Sequence, residues 1–178
     1  KAASYDQTFS QNWHRQILWE LEQKILDRIL AKFPDKGQLA HLDFACGTGR
    51  VLAFMEKREI HSVGMDISAD MIAVAGQKAP GAELVLGDIT NTDLLGTRLF
   101  DLITAFRFFP NAEQDLRESV MSRPAGHLKP GGILVFNNHR QSDSVFFRLV
   151  RRFGRGGADG MSMREADQLI TANGMKTE

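Results

Sequence analysis

The chain is poor in cysteine, tyrosine and proline, with one, one and five among 178 residues. Its single thiol, Cys46, cannot close an internal disulfide, so stability has to come from a packed core. Basic and acidic residues balance at 22 each, leaving no net charge to draw the chain onto a nucleic-acid backbone. No apolar run approaches the roughly 18 residues that cross a bilayer, and no leader pattern opens the chain, which begins on Lys1. No Cys/His spacing resembles a metal site. These absences set the expectation of a cytoplasmic protein with no metal, no nucleic-acid partner and no stable membrane insertion. Oligomeric state is not legible.

An apolar fraction of 43% and a charged fraction of 25% are those of an ordinary globular domain. At this length one structural domain with a three-layer core is expected. Residues 1–37 read as an N-terminal helical cap, and 38–178 as the core, with a helical insertion near 140–173. In the cap, Trp13, Ile17, Leu21, Ile25, Leu26, Ile29 and Leu30 form an apolar stripe over a helix at 10–33 that Pro34 ends. Strand and helix patterns then alternate. Strands are expected at 39–45, 60–66, 83–87, 99–106 and 133–138, the last after the turn Pro130-Gly131-Gly132. Helices are expected at 48–58, behind Ser68 as N-cap, at 111–122 with Pro124 just beyond its end, and near 142–153. Ser162 to Glu165 is a capping box for a last helix, which Gly174 stops, and 175–178 reads as the start of a sixth strand. Short apolar strands alternating with helices make an α/β, Rossmann-like doubly wound sheet, mainly parallel, with helices on both faces.

The most informative stretch is Leu42 to Arg50, where an apolar strand enters a glycine-bearing turn and a helix opens behind it. Such a turn lets a ligand approach bare backbone N–H groups. A dinucleotide fingerprint needs a third small residue three positions after the second glycine, and Leu52 stands there. Asp43-x-Ala45-x-Gly47-x-Gly49 instead resembles the first motif of the class I S-adenosylmethionine-dependent methyltransferases of small-molecule type. Asp66, seventeen residues past Gly49, then Gly87-Asp88-Ile89, the strand Phe100 to Phe106, and Leu128 to Gly132 resemble the later motifs in the right order. The resemblance covers about 38–138.

It implies S-adenosyl-L-methionine as cofactor and in-line methyl transfer to O or N of a small molecule, such as a sugar or another polar or anionic acceptor. It also implies a role for each position. Ala45, Gly47 and Gly49 would line the methionine part, Asp66 the ribose, Ile67 and Met71 the adenine faces, and Asp88 with Ile89 the adenine edge. The backbone of Ala105 and Phe106 would approach the sulfonium, and Tyr5 would serve as a lid. Family members finish the sheet with an antiparallel strand pair, of which only the first residues are present here, so this pair is expected to be truncated.

On the acceptor side the candidates are Arg107, Phe108 and Phe109 after the fourth strand, and Asn137, Asn138 and His139 after the fifth. His139 is either a general base, being neutral near pH 7, or a histidine hydrogen-bonded in a loop. Arg107, Asn137 and Asn138 would bind substrate, though the asparagines also suit a simple strand end. The other histidines are scattered and need no function. Asp43 either braces the turn by accepting backbone N–H bonds or touches ligand, Cys46 reads as a packing residue, and Asp101 as a turn acceptor. Arg148, Arg151, Arg152 and Arg155 share one helix face, either solvated or facing an anionic acceptor. Two other functions fit the fold: a non-catalytic S-adenosylmethionine-binding or scaffold protein, and an aminopropyltransferase. The latter would want acids where Arg107-Phe108-Phe109-Pro110 stands.

Overall fold

A computed structural model describes residues 13–88, 94–109, 112–138 and 161–177. Tyr5, Ile89, His139, the arginine-bearing 142–153 segment and the glycine-rich 154–160 segment lie outside the described residues. Five parallel strands form one sheet: β1 (His41–Phe44), β2 (Ser62–Asp66), β3 (Glu83–Leu86), β4 (Phe100–Ala105) and β5 (Leu128–Phe136), in the order 3-2-1-4-5. The helices are α1 (Trp13–Leu30), α2 (Arg50–Glu56), α3 (Ala69–Lys78), α4 (Gln114–Gly126) and α5 (Met163–Ala172). Strand order reverses between β1 and β4, and at such a point a crevice opens beyond the carboxyl ends of the strands.

Period-2 alternation assigns the two faces of the sheet. Leu42, Phe44, Val63, Met65, Ile103, Ala105, Leu134 and Phe136 pack with Val120 and Met121 of α4 and Ala166 and Leu169 of α5. Leu102, Ile133 and Val135 face the other way, toward Leu26 and Leu30 of α1 and Val51, Phe54 and Met55 of α2. This is the doubly wound architecture that the alternating pattern predicts.

Local signals hold where the chain itself supplies the partner. Ser68 caps α3 by accepting from the Met71 N–H, and Ser162 with Glu165 forms the reciprocal capping box of α5. Gly174, at φ 72°, stops α5.

Four expectations are corrected. The α1 stripe is turned: Trp13, Ile17, Leu21 and Ile25 are exposed, while Leu26 and Leu30 are buried in line with Glu22. α4 starts at Gln114, not 111, and runs through Pro124, whose buried ring sits in the last two turns. β5 already begins at Leu128. Its register against β4 jumps from Phe100↔Leu128 to Leu102↔Ile133, so the glycine turn, with Gly131 at φ 80°, is a bulge within one strand. Residues 175–177 form no strand, and Met175 packs onto the core instead.

Candidate active site

The turn after β1 winds left-handed at every second residue, with φ of 59° at Ala45, 54° at Gly47 and 74° at Gly49. Alternation of hand is the backbone winding from which anion-binding nests are built. The two glycines are required for different reasons. A Cβ on Gly49 would lie 2.9 Å from the Cα and Cβ of Ala75, so this glycine lets α2 and α3 pack together. A Cβ on Gly47 would meet nothing within 4 Å, so Gly47 opens onto space. Leu52, the residue that breaks the dinucleotide fingerprint, finds its room elsewhere. Its side chain lies 2.5 Å from where a Cβ on Gly64 of β2 would stand, so the glycine that allows close helix–strand packing is on the strand.

Three N–H groups of the turn already have acceptors. Cys46 N–H donates to the Met65 carbonyl at 2.9 Å, and Gly49 N–H to the Cys46 carbonyl at 3.0 Å. Gly47 N–H donates to Asp66 Oδ2 at 2.8 Å, while Asp66 Oδ1 accepts from Ser68 N–H at 2.9 Å. Asp66 thus ties the β1 turn to the start of α3. The brace read for Asp43 is supplied by Asp66 instead.

Asp43 is buried on the α2 side of the sheet and accepts from the Thr104 hydroxyl at 2.7 Å. Burial pushes its carboxyl up to about 7. The Thr104 hydrogen bond and the Arg50 charge oppose that rise, and the Asp66 charge adds to it. The Cys46 thiol is pushed far above its ordinary value by burial and by the Asp43 and Asp66 charges. Such a thiol is inert, in keeping with a packing role. Asp101 is desolvated, yet hydrogen bonds from Lys129 and the Ala40 N–H hold it below the usual carboxylate value, as a brace at the start of β4.

At the ends of β2 and β3 the surface is apolar without being covered. Ile67 is 64% exposed and Leu86 52%, with Met71 half-buried on α3 and Asp88 exposed after β3. Beyond β4, Ala105 is fully buried and Arg107 takes the left-handed conformation at φ 65°. The two strands that flank the switch point are therefore both followed, within two residues, by a non-glycine residue of positive φ, Ala45 after β1 and Arg107 after β4. Strain of this kind persists where the surroundings over-determine it, and it concentrates at functional sites. Phe109 is fully buried and meets Phe108 edge-on at 5.1 Å and Phe136 at a tilt at 5.2 Å, so it is core and not acceptor wall.

One buried carboxylate at the strand ends escaped the sequence. Glu22 of α1 is buried and meets both post-strand residues: Asn137 Nδ2 donates to its Oε1 at 2.6 Å, and Arg107 Nη2 lies 3.4 Å from its Oε2. Asn137 Oδ1 in turn accepts from the Arg107 N–H at 2.8 Å. Asn138 points elsewhere and donates to the Met161 carbonyl at 2.8 Å. The only available signal was position, since Glu22 stands four residues before Leu26 on the buried line of α1. Among the described residues no group of side chains could hold a metal ion, and no helix is long and apolar enough to cross a membrane.

Comparison with known proteins adds the lineage. Residues 42–132 match the methyltransferase domain family. A dTDP-3-amino-3,4,6-trideoxy-alpha-D-glucopyranose N,N-dimethyltransferase from Streptomyces venezuelae is 32% identical over 138 residues, 74% of this chain and 56% of that protein. The chain thus spans about half the length of the curated relatives it matches. The S-adenosylmethionine-bound structure of an amino pentose methyltransferase from Micromonospora echinaspora is 33% identical, with a TM-score of 0.57 over 66% of this chain and 50% of that one. Magnesium protoporphyrin IX methyltransferase from Synechocystis, with bound SAH, superposes at a TM-score of 0.73 over 93% of this chain and 78% of that one. At 17% identity it speaks for the fold alone. The left-handed turn with its open glycine, the carboxylate latched across the next strand end and the ordered strand tips thus have a common origin: this chain belongs to the class I S-adenosylmethionine-dependent methyltransferase family.

Proposed function

We propose that the chain binds S-adenosylmethionine across the carboxyl ends of β1 to β4 and directs its methyl group to a small polar acceptor beyond β4 and β5. The observation that carries this reading is Gly47, held left-handed at the switch point with open space where a side chain would stand. When bound, the cofactor supplies a methyl group on an electron-poor sulfonium.

The residues of the chain fit that cofactor. Ala45, Gly47 and Gly49 offer backbone to the methionine part. Asp66, with one backbone N–H on each oxygen, keeps lone pairs for the ribose hydroxyls and is fixed in place for them. Exposed Ile67 and half-buried Met71 suit the faces of the adenine, and Asp88 and Ile89 its edge. The backbone of Ala105 and Phe106 borders the sulfonium side; the lid role that the family resemblance implies for Tyr5 falls outside the described residues.

On the acceptor side Arg107 and Asn137 are the candidates to border the substrate, with Asn138 turned toward Met161, and His139 is the candidate to take a proton from an attacking hydroxyl, or from an ammonium group before its free amine attacks. Amino sugars are the leading acceptor class, on the strength of two relatives that act on them. Catalysis by such a site is chiefly alignment of nucleophile, methyl carbon and sulfur, with exclusion of water.

Calorimetric titration with S-adenosylmethionine, S-adenosylhomocysteine and NAD, side by side, tests the cofactor. Binding of the first two is expected, and binding of NAD alone would overturn the reading. Release of S-adenosylhomocysteine in a screen of nucleotide-linked amino and hydroxy sugars tests turnover. The second reading, a non-catalytic cofactor-binding protein, draws support from the internal engagement of Arg107 and Asn137 with Glu22. Cofactor binding without turnover across the screen would favour it.

A further inference from the structure

We propose that Glu22 is a positioning residue for methyl transfer: through Asn137 it fixes the peptide that joins Phe106 to Arg107. The inference rests on the cofactor site proposed above, and it concerns a buried carboxylate on α1.

Glu22 is 7% exposed, and a carboxylate is buried to that degree only where partners compensate its lost hydration. Its partners are the carboxamide of Asn137 at 2.6 Å and the guanidinium of Arg107 at 3.4 Å. The Asn137 carboxamide is thereby held at both ends, since its oxygen accepts the Arg107 N–H at 2.8 Å. A side-chain amide that donates to a fixed carboxylate cannot turn over without placing its oxygen against that carboxylate. Glu22 therefore decides which end of Asn137 faces the main chain.

What that contact fixes follows from the planarity of the peptide unit. The N–H of Arg107 and the C=O of Phe106 belong to one trans peptide and point in opposite directions. Anchoring the N–H on Asn137 orients the Phe106 carbonyl away from it. The anchored peptide precedes a residue at φ 65°, a conformation that a side chain other than glycine's does not hold without support. Glu22 and Asn137 supply that support at the end of the strand that borders the switch point.

The platform behind Glu22 is itself fixed. Asp27 of α1 takes a bidentate bond from Arg58 at 2.7 and 3.0 Å, and Trp19 meets Phe54 of α2 edge-on at 5.9 Å. The Arg50 guanidinium lies over Trp19 at 5.4 Å, directly behind the glycine turn. α1 is thus fastened to the element that follows β1 and, through Glu22, to the ends of β4 and β5. It straddles the switch point, and Glu22 carries its charge to the far side.

The test uses the full chain with Glu22→Ala, Asn137→Ala, the double variant and Glu22→Gln, the last keeping an acceptor for Asn137. Two readouts are followed: S-adenosylmethionine affinity by calorimetry, and exchange of the Arg107 amide with deuterium in the ligand-free protein. Glu22→Ala and Asn137→Ala should each speed Arg107 exchange and weaken cofactor binding about tenfold. The double variant should bind no more weakly than the worse single one, because the two act in series. Glu22→Gln should stay within about threefold of the unmodified protein, a rescue that simple loss of helix docking would not give. Multiplicative losses, or faster Arg107 exchange with unchanged cofactor affinity, would overturn the inference and leave the cofactor site standing. Should Glu22→Ala fail to fold, Asn137→Ala and Glu22→Gln make the same comparison. Failure of the unmodified protein to bind cofactor would remove the site and this inference together.

Discussion

Thr104 donates its hydroxyl proton to Asp43 Oδ1 at 2.7 Å across the pairing of β4 with β1, directly beneath the glycine turn. The same hydroxyl oxygen lies 3.0 Å from His41 Nε2, and His41 Nδ1 lies 2.7 Å from the Ser62 hydroxyl on β2. A buried line of polar groups thus crosses three strands on the α2 side of the sheet. Burial drives its two titratable members in opposite senses. His41 is lowered from 6.5 to about 3, and Asp43 is raised from 3.8 to about 7, by desolvation in each case.

The consequence for stability is a cancellation. Asp43 keeps a proton in the folded state that it loses in the unfolded one between about 4 and 7, so its contribution falls as pH rises through that window. His41 gains a proton only on unfolding between about 3 and 6.5, so its contribution rises with pH there. Where the windows overlap, the two slopes, each at most about 1.4 kcal/mol per pH unit, oppose one another. Urea unfolding of the ligand-free chain should therefore show little slope from this pair between about pH 4.5 and 6. Asp43→Asn leaves His41 alone and should make stability rise with pH. His41→Gln leaves Asp43 alone and should make it fall. Parallel pH profiles for the two variants would refute the account.

The line also has a direction. With the Thr104 proton on ionised Asp43, the Thr104 oxygen must accept, so neutral His41 carries its proton on Nε2 and accepts from Ser62 at Nδ1. Asp43 protonated on Oδ1 donates to Thr104, and every bond in the line then reverses. The His41 proton moves to Nδ1, and the Ser62 hydroxyl turns to the Ile60 carbonyl at 3.5 Å. Nitrogen-15 shifts of His41 should report the Nε2–H tautomer above pH 8 and the Nδ1–H tautomer near pH 5.5, the ring staying neutral throughout. Thr104→Val should abolish the change. One tautomer at both pH values in the unmodified protein would refute the reversal.

Much of the fold was legible because its signals are local. Ser68 and Ser162 each reach only three residues along the chain, and the apolar strands announce themselves by composition. The line through His41 was not legible, since its partners lie 21 and 63 residues away and a histidine in an apolar strand carries no mark of its neighbours. Glu22 was hidden for the same reason, with partners 85 and 115 residues distant. The stripe of α1 was legible only in part: Leu26 and Leu30 of it are buried, whereas Trp13, Ile17, Leu21 and Ile25 are exposed, because docking onto α2 selects the side bearing Trp19, Leu26 and Leu30.

The glycine pair offers a separation of folding from binding. Gly49→Ala drives a methyl group against backbone and side chain of Ala75 at 2.9 Å, in addition to the left-handed strain. Loss of about 2–4 kcal/mol of stability is expected, from overpacking and strain together. Gly47→Ala meets no neighbour, so its cost should be confined to about 1–2 kcal/mol of backbone strain, the cost of a left-handed L-residue. Cofactor binding, however, should fall steeply in the Gly47 variant, because the methyl group fills space that the ligand needs. Thermal melts and calorimetry on the same samples check both. A Gly47→Ala protein that binds S-adenosylmethionine at full strength would place the ligand elsewhere.

Asp66 braces the turn and, in the proposed reading, also binds the ribose; one substitution would confound the two, and a pair of substitutions separates them. As a brace it receives Gly47 N–H and Ser68 N–H, one on each oxygen. Asp66→Ala leaves both donors without their acceptor, and a cost of about 2–3 kcal/mol is expected from the two lost charge-assisted bonds. Asp66→Asn keeps one carbonyl oxygen for one of those donors and turns an NH₂ toward the other, so the cost should drop to about 1–2 kcal/mol. If Asp66 only held the turn, cofactor affinity would track stability across the two variants. If it also accepts the ribose hydroxyls, the asparagine variant should fold well and still bind S-adenosylmethionine at least about tenfold more weakly, since an amide offers one acceptor where the carboxylate offers two. The decisive measurement is calorimetry on Asp66→Asn, at a temperature where melting curves show it fully folded. Full-strength binding there would reduce Asp66 to a brace and move the ribose contact to another strand end.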